Sequence, residues 1–391
     1  MLGCQKHRFS LPPDLHYLNC AYMSPLSRAV EEAGIGGVLR KRNPAAIAQE
    51  DFFTESDLAR ERFARLVRAP DPKRVAITPS ASYGIAVAAR NTRYRRGQNV
   101  VVAHEQFPSN VYAWRALCQR EGVELRTVEA PDGEDREEEW NARLLEAIDA
   151  DTAAVALGHV HWADGTRFDL ERIGARARRH GAALIIDGTQ SVRALPFDVE
   201  RIQPDALVCA AYKWLTGPYS IGVAYFGPRY DDGEPLEETW LGRLGSEDFR
   251  GLVRYRDDYQ PGALRYDVGE RSNFILLPML IAALDQLLEW TPEGIQEYCG
   301  SLTAGLLGEA SALGFRVAPA PFRASHLFGL RAPGGLDLDA LQQRLRDRRV
   351  IVSLRGSALR IAPHLYNDEA DVAALLDVLS AKGTPLRAPP S

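Results

Sequence analysis

Two charged side chains stand just beyond two apolar runs that are typical of buried β-strands. Asp187 follows the run at residues 184–186, and Lys213 comes four residues after the run at 206–209. Neighbouring parallel strands end at the same edge of a sheet, so we expect the carboxylate and the amine to lie close together. The pair suits pyridoxal 5'-phosphate (PLP), which requires a lysine for its Schiff base and a carboxylate beside its ring nitrogen. The sequence therefore predicts a PLP-binding enzyme.

The segment TPSASYG contains a candidate site for the phosphate group of the cofactor. Ser80, Ala81 and Ser82 stand where a short strand at residues 75–77 gives way to a helix. Free backbone N–H groups and the helix dipole favour an anion at such a position. A plain serine N-cap would produce the same pattern. The position of this segment ahead of Asp187 and Lys213 favours the phosphate site.

Aromatic and histidine side chains follow other predicted strands. Phe107 lies in the loop after NVVVA, where its ring would either stack on a flat cofactor or anchor the core. His159 and His161 alternate after TAAVALG, so they can share one strand face, an arrangement compatible with a metal. No third ligand is evident, and we predict no metal site.

The order of the elements predicts the fold class and the domains. Strands alternate with helices from residue 75 to 226, which indicates right-handed βαβ units and a mostly parallel sheet. Residues 228–262 show weak periodicity, and helices with short strands follow. We predict an N-terminal arm at residues 1–24, a large cofactor-binding domain at 25–262 and a small α+β domain at 263–391.

Composition narrows the classes of partner. The 391 residues carry a formal net charge of −5, which gives no electrostatic reason to expect nucleic acid or an anionic membrane. No apolar run approaches the roughly 18 residues of a membrane helix, and the N-terminus lacks a secretory core. The five cysteines are scattered without CxxC spacing, which suggests neither a disulfide framework nor a zinc site. We expect a cytoplasmic protein that binds small molecules.

The motifs DGTQSV, at 187–192, and AAYKWLTGP, at 210–218, resemble those of the class V aminotransferase family of fold-type I PLP-dependent enzymes. This family includes cysteine desulfurases and kynureninases, and the resemblance extends over nearly the whole chain. It implies an α/β fold whose large domain is built on a mostly parallel, seven-stranded sheet, with a small α+β C-terminal domain. It also implies a homodimer.

The same resemblance implies a role for individual residues. Lys213 would hold the PLP aldehyde and later remove the Cα proton of the substrate, and Asp187 would pair with the ring nitrogen. Further cofactor contacts are implied for Ala81, Ser82 and Tyr212 at the phosphate, Gln190 at the phenolic oxygen, Phe107 on the ring, and Ser272 and Asn273 at the cofactor of the neighbouring subunit. Substrate contacts are implied for Arg360, Trp162 and Asn19. The guanidinium of Arg360 would bind the substrate carboxylate through two hydrogen bonds.

Two departures from the family pattern bear on the reaction. Desulfurases that form a persulfide carry a cysteine shortly before the carboxylate-binding arginine, and RRVIVSLRGSALRI contains none. Trp162 also replaces a polar residue common in desulfurases. We expect a small α-amino acid to form an external aldimine, lose its Cα proton to Lys213 and undergo transamination. A β-eliminating or hydrolytic C–S or C–C lyase, or an amino-acid epimerase, would begin with the same proton removal.

Two other classes of protein fit the sequence less well. A nucleotide-dependent oxidoreductase would need GxGxxG after the first strand, and TPSASYG does not supply it. A cofactor-free binding protein would leave Asp187, Lys213 and Arg360 without a shared role.

Overall fold

The fold follows the alternation of strands and helices along the chain. The structure is a computed structural model that describes residues 2–381. The strands are β1 (His16–Tyr17), β2 (Val75–Thr78), β3 (Asn99–Ala103), β4 (Glu124–Val128), β5 (Thr152–Gly158), β6 (Ala183–Asp187), β7 (Ala206–Ala210), β8 (Gly222–Phe226), β9 (Arg316–Val317), β10 (Phe328–Arg331), β11 (Val350–Ile351), β12 (Ser353–Arg355) and β13 (Ala358–Ile361). The helices are α1 (Arg28–Arg40), α2 (Asp51–Val67), α3 (Ala81–Asn91), α4 (Ser109–Glu121), α5 (Arg136–Ala147), α6 (Leu170–Arg179), α7 (Val199–Ile202), α8 (Leu276–Trp290), α9 (Pro292–Ala312), α10 (Leu338–Asp347) and α11 (Glu369–Ser380).

A seven-stranded sheet forms the centre of the larger part of the molecule. Its strand order is β2-β8-β7-β6-β5-β3-β4. The strands from β7 to β4 in this order are parallel, and β8 runs antiparallel to both of its neighbours. The carboxyl ends of six strands and the amino end of β8 therefore meet at one edge. The predicted α/β fold with a mostly parallel, seven-stranded sheet is confirmed.

Both faces of this sheet are buried, which explains the continuous apolar runs. In β6, Leu184 and Ile186 belong to one hydrophobic core, and the intervening Ile185 belongs to the core on the opposite face. Successive side chains of a strand point to opposite faces, so a strand covered on both sides must be apolar throughout. In residues 2–381, no helix is both long enough and apolar enough to cross a membrane.

A second, antiparallel sheet is formed by the C-terminal strands in the order β12-β13-β10-β9. It has its own hydrophobic core, to which Leu18 of the N-terminal arm contributes. The arm also pairs in parallel with this region, His16 lying opposite Val350. The arm is thus packed onto the C-terminal part of the chain. The division at 1–24, 25–262 and 263–391 stays a prediction, and residues 382–391 lie outside the described part.

A buried charge cluster fixes β2, which leads into the candidate phosphate site. The carboxylate of Asp267 accepts hydrogen bonds from Arg60 Nη2 at 2.6 Å, Arg271 Nη1 at 2.9 Å and the backbone N–H of Ile77 at 2.8 Å. Arg60 also donates to the backbone oxygen of Val75. All of the charges in this cluster are shielded from solvent. Removing one partner would leave the others buried and uncompensated.

We expect Asp267→Asn to lower the free energy of unfolding by about 3 kcal/mol or more, because two guanidinium groups lose their buried counter-charge. Urea denaturation of the variant and the wild type under the same conditions measures this loss. Asp285→Asn is the matched control, since it removes an exposed partner of Arg62 and should cost less than about 1 kcal/mol. Equal losses for the two variants would contradict the role assigned to Asp267.

Candidate active site

A cavity of about 350 Å³ opens at the sheet edge where the strand ends meet. Its walls come from the ends of β5, β6 and β7, the amino end of α3, the loop before α4, and the segment that enters β8. Of the residues predicted for the site, those that line the cavity are Ala81, Ser82, Phe107, Trp162, Asp187, Gln190, Tyr212 and Lys213. Eight of the predicted positions thus meet at one place, although they are spread over more than 130 residues of sequence.

Asp187 is the acidic residue of the cavity wall. Asn110 Nδ2 donates to its Oδ2 at 2.6 Å, and the backbone N–H of Thr189 donates to its Oδ1 at 2.9 Å. These two donors hold the carboxylate in one orientation. Sequence reasoning missed Asn110, which stands three residues after Phe107 at the start of α4. The signal that could have found it is the polar end of the segment FPSN, which follows a buried strand.

Lys213 is the amine of the site, and it is 7% exposed. Its Nζ lies 5.2 Å from the centre of the Phe107 ring and 5.4 Å from that of Tyr212. Burial lowers the pKa of Lys213 to about 8; Asp187 opposes this shift, and Arg360 and Arg355 add to it. A buried amine of this kind is a free base more often than a surface lysine and is suited to react with an aldehyde or accept a proton.

The amino end of α3 has both features predicted from TPSASYG, a serine N-cap and a place for a phosphate group. Ser80 caps the helix, because its side chain accepts a hydrogen bond from the backbone N–H of Tyr83 at 3.2 Å. Its Oγ also lies 2.9 Å from Ser82 Oγ. Ala81 and Ser82 line the cavity in the first turn. Because the backbone N–H groups of a first helical turn bind anions, this end fits a phosphate group.

Gln190 and Tyr212 are fixed by the N-terminal arm and by the core. Gln190 Nε2 donates to the backbone oxygen of Ala21 at 3.1 Å, and its Oε1 accepts from Trp214 Nε1 at 2.9 Å. The backbone oxygen of Tyr212 accepts from the N–H of Ser24 at 2.9 Å. The arm therefore supports the floor of the cavity from outside the sheet.

Phe107 and Trp162 form an aromatic wall. Their ring centres are 5.4 Å apart and the rings are nearly perpendicular. Phe107 is 37% exposed, so it is a wall residue and not a core anchor. Trp162 Nε1 donates to the backbone oxygen of Glu105 at 2.7 Å, which ties Trp162 to the loop that carries Phe107.

Arg360 and Asn19 lie behind this wall and do not line the cavity. Arg360 is 1% exposed; its Nη1 donates to the backbone oxygen of Trp162 at 2.7 Å and its Nη2 donates to Ser353 Oγ at 3.3 Å. Ser353 Oγ in turn donates to Asn19 Oδ1 at 2.9 Å. Burial, and secondly the nearby Arg355, lower the pKa of Arg360 to about 10. Sequence reasoning missed Arg355, whose guanidinium lies 5.4 Å from the Trp162 ring centre.

Ser272 and Asn273 lie away from the cavity of their own chain. Ser272 Oγ donates to the backbone oxygen of Phe52. Asn273 Oδ1 accepts from the backbone N–H groups of Ile275 at 3.1 Å and Leu276 at 2.9 Å, where α8 begins. Their contact with the cofactor of a neighbouring subunit stays a prediction.

His159 and His161 occupy separate environments. His161 lines the cavity; its Nδ1 lies 3.1 Å from Asp164 Oδ1, and its Nε2 lies 3.2 Å from the backbone oxygens of His104 and Glu105. His159 packs edge-on against Phe197 and lines a different cavity. Over residues 2–381, no three His, Cys, Asp or Glu side chains are grouped as a metal site.

None of the five cysteines lines the cavity, and all five are free. Cys20 lies beside the chain of Lys213, with its Sγ 3.9 Å from the backbone oxygen of Lys213, and burial raises its pKa to about 12. Burial also raises the pKa of Cys209, Cys118 and Cys299. A reactive thiolate needs the opposite surroundings.

Comparisons with known proteins agree with this architecture. The family model described as aminotransferase class-V matches residues 43–239. The chain is 25% identical over 391 residues to isopenicillin N epimerase of Streptomyces clavuligerus, which covers 96% of each chain. It is 25% identical over 364 residues to the uncharacterized aminotransferase YcbU of Bacillus subtilis, covering 93% of this chain and 92% of the relative. The solved cysteine desulfurase from Thermococcus onnurineus superimposes with a TM-score of 0.82 at 19% identity, covering 97% of this chain and 98% of that one.

The fold is that of the fold-type I PLP-dependent enzymes. Since the family model covers half of its length, the chain belongs to the class-V aminotransferase family, whose members use PLP. The family recognised from DGTQSV and AAYKWLTGP is confirmed, and with it the PLP cofactor and the assignment as an enzyme.

We expect the rate at which Lys213 of the apoenzyme combines with PLP to rise with pH and to level off above a midpoint near 8. The reason is that only the neutral amine attacks an aldehyde, and burial lowers the pKa of this amine to about 8. Stopped-flow absorption between pH 6 and 10 measures the rate, with N-acetyl-lysine as the reference amine. A rate that keeps rising through pH 10, as for the reference, would contradict the lowered pKa.

Proposed function

We propose that this protein is a PLP-dependent aminotransferase that acts on a small α-amino acid, with Lys213 as its base. The observation that carries the proposal is the buried amine of Lys213, with a lowered pKa, in a cavity that it shares with Asp187. When bound, PLP supplies a ring that withdraws electrons from the Cα of the substrate. The volume of about 350 Å³ suits this ring with a small substrate.

The cavity residues suit the parts of the cofactor. Asp187, held by Asn110 and Thr189, would accept the N–H of the protonated ring nitrogen. The remaining cofactor contacts that we propose are Ala81, Ser82 and Tyr212 for the phosphate, Phe107 for the ring face and Gln190 for the phenolic oxygen. The amino end of α3 supports the phosphate position because anions bind at helix amino ends.

Lys213 is the group best able to move the Cα proton. Two other ionisable side chains of the wall are engaged: Asp187 accepts two hydrogen bonds, and His161 has acceptors near both ring nitrogens. Burial raises the pKa of Tyr212, which keeps its hydroxyl protonated. A single base returns a proton on the side from which it removed it, which favours transamination over inversion at Cα.

Arg360 is our proposed partner for the substrate carboxylate, with Trp162 and Asn19 beside it. Its Nε is buried and has no hydrogen-bond partner among the described residues, so the guanidinium retains a free donor. Trp162 separates Arg360 from the cavity, so we infer that the substrate carboxylate displaces the contact between Arg360 Nη1 and the backbone oxygen of Trp162. The wide, rigid Trp162 ring would also limit the size of the substrate side chain.

Epimerisation is the second candidate. It is supported by the alignment with isopenicillin N epimerase, which extends over 96% of both chains. Desulfuration through a protein persulfide is disfavoured, because every cysteine lies outside the cavity. Direct β-elimination from a sulfur amino acid needs no cysteine and would require only Lys213 as base.

We expect the PLP-loaded enzyme to form a new amino acid when it is given an amino-acid donor and an α-keto acid. A panel of small L-amino acids with pyruvate or 2-oxoglutarate, analysed by chiral chromatography, separates the reactions. Lys213→Ala should lower the rate at least about 10³-fold because the base is lost. Lys73→Ala, which removes an exposed lysine, should leave the rate unchanged. Inversion of the substrate in the absence of a keto acid would indicate an epimerase. Formation of pyruvate from cysteine would indicate a lyase. Either result would overturn the proposal of an aminotransferase.

We also propose a cytoplasmic homodimer in which Ser272 and Asn273 of each chain reach the cofactor of the other. The five free cysteines support a reducing compartment. Exposed apolar side chains on and near α1, among them Ile35, Val38 and Ile275, support a covered surface next to this segment.

We expect sedimentation analysis to give twice the mass of the chain. Asn273→Asp keeps a side-chain acceptor at the start of α8 but brings a negative charge to the anionic cofactor of the other chain, so it should weaken PLP binding. Mixed with inactive Lys213→Ala chains, it should recover about a quarter of the wild-type rate through hybrid dimers. A fully active monomer, or no recovery on mixing, would contradict the shared site.

A further inference from the structure

A second cavity, of about 520 Å³, lies outside the candidate active site. It is formed by the end of α2, the beginning of α6, the loop from residue 193 to 198 and the beginning of α9. Phe168 lines both cavities, while His159 faces the second and His161 the first. The second cavity has no part in the proposed reaction, so an inference about it stands independently of that proposal.

Arg193 is the unusual residue of this cavity. Its side chain is 5% exposed, and its Nε and Nη2 atoms are buried without a hydrogen-bond partner in the described part of the chain. Its φ of 81° lies in the left-handed region, which disfavours side chains other than glycine. A strained backbone and an unpaired buried guanidinium are both costly, and such features concentrate at ligand sites.

Other cations of the cavity also lack a counter-charge. Arg65, which is exposed, and Arg167, which is half-buried, line it, and neither forms an ion pair with a described residue. His159 contributes a buried ring whose Nδ1 has no partner. Burial, and secondly Arg167, lower the pKa of His159 to about 3, so the ring is neutral and retains one N–H donor.

The acidic residues of the same wall are already engaged. Asp198 pairs with Arg68 at 3.0 Å, and Glu171 pairs with Arg201 at 2.7 Å. Asp169 caps α6 by accepting the N–H of Arg172.

Glu293 is the remaining acid of the wall, and it raises the pKa of Arg193 without pairing with it. Its side chain is 59% exposed and lies 3.9 Å from Arg68, so solvent screens its charge. The cavity thus holds an excess of positive charge.

We infer that this second cavity binds a small oxyanion with two or more negative charges, held by Arg193, Arg167 and Arg65. The planar guanidinium fork matches a carboxylate or a phosphate through paired hydrogen bonds. The volume lies in the range of small-molecule sites. The anion would supply the counter-charge that the protein does not provide for Arg193.

The test is calorimetric titration of PLP-loaded enzyme with pyrophosphate and with citrate, in a buffer free of phosphate. Loading with PLP keeps the phosphate site of the active site occupied. We expect at least one of the two anions to bind with a submillimolar dissociation constant. Tighter binding of pyrophosphate would indicate a phosphate-containing ligand, and tighter binding of citrate would indicate a polycarboxylate. Failure of both anions to bind would overturn the inference.

Arg193→Gly is the decisive variant, because glycine adopts a φ of 81° without strain and the fold should be at least as stable. We expect it to weaken anion binding at least tenfold while its thermal midpoint without anion stays level or rises. Arg120→Gln, which removes an exposed charge on α4, is the control and should change binding less than twofold. Equal binding by wild type and Arg193→Gly would also overturn the inference. If Arg193→Gly retains the absorption of bound PLP, the active site is intact. Weaker anion binding then reports on the second cavity and not on the proposed reaction.

Discussion

The candidate site depends on keeping an acid and an amine in one cavity without letting them close into an ion pair. Each oxygen of Asp187 accepts one hydrogen bond, from Asn110 and from the backbone of Thr189. Lys213 forms no ion pair with Asp187 in the described structure, although it is close enough for that charge to affect its pKa. A closed pair would hold the amine in its protonated form. The parallel register, which places Asp187 opposite Val208, brings the two chain segments to the same edge of the sheet.

The sequence was sufficient to predict the parts of the site that depend on single strands. Asp187 and Lys213 could be found because a charged group after a doubly buried strand can only emerge at the sheet edge. The amino end of α3 was predictable for the same reason, since a strand, small residues and a helix follow one another directly. Arg360 and Asn19 were placed by resemblance alone. Their position behind Trp162 depends on how two separately built sheets meet, which no local pattern encodes.

Asn110 illustrates a further limit of sequence reasoning. It is an ordinary polar residue near the start of a helix, and its contact with Asp187 arises because β3 and β6, which are far apart in sequence, end near each other. Ser272 and Asn273 show the limit in another form. Within one chain, Ser272 hydrogen-bonds to Phe52 and Asn273 hydrogen-bonds to the start of α8. Contact with a cofactor would require a second chain.

The Phe107 loop is coupled to the C-terminal sheet through the carbonyl group of Glu105 and its neighbours. The backbone oxygen of Glu105 accepts from Trp162 Nε1 and lies 3.2 Å from His161 Nε2. His161 contacts Asp164, which also binds Arg331 of β10. Glu105 itself has a φ of 49°, a conformation that its surroundings must stabilise. A shift of the C-terminal sheet would therefore be transmitted to the ring beside Lys213.

The pairing of β1 with β11 has a consequence for how the chain is made. His16 is synthesised long before its partner Val350. Local units, such as the βαβ units, are held together by contacts between residues that are near in sequence. They can therefore form as they leave the ribosome. The arm must wait, and the core that contains Leu18 cannot close before then. Because Gln190 and Tyr212 are fixed by this arm, the cavity floor would close only after β11 has been made, and we expect the cofactor to bind after that point.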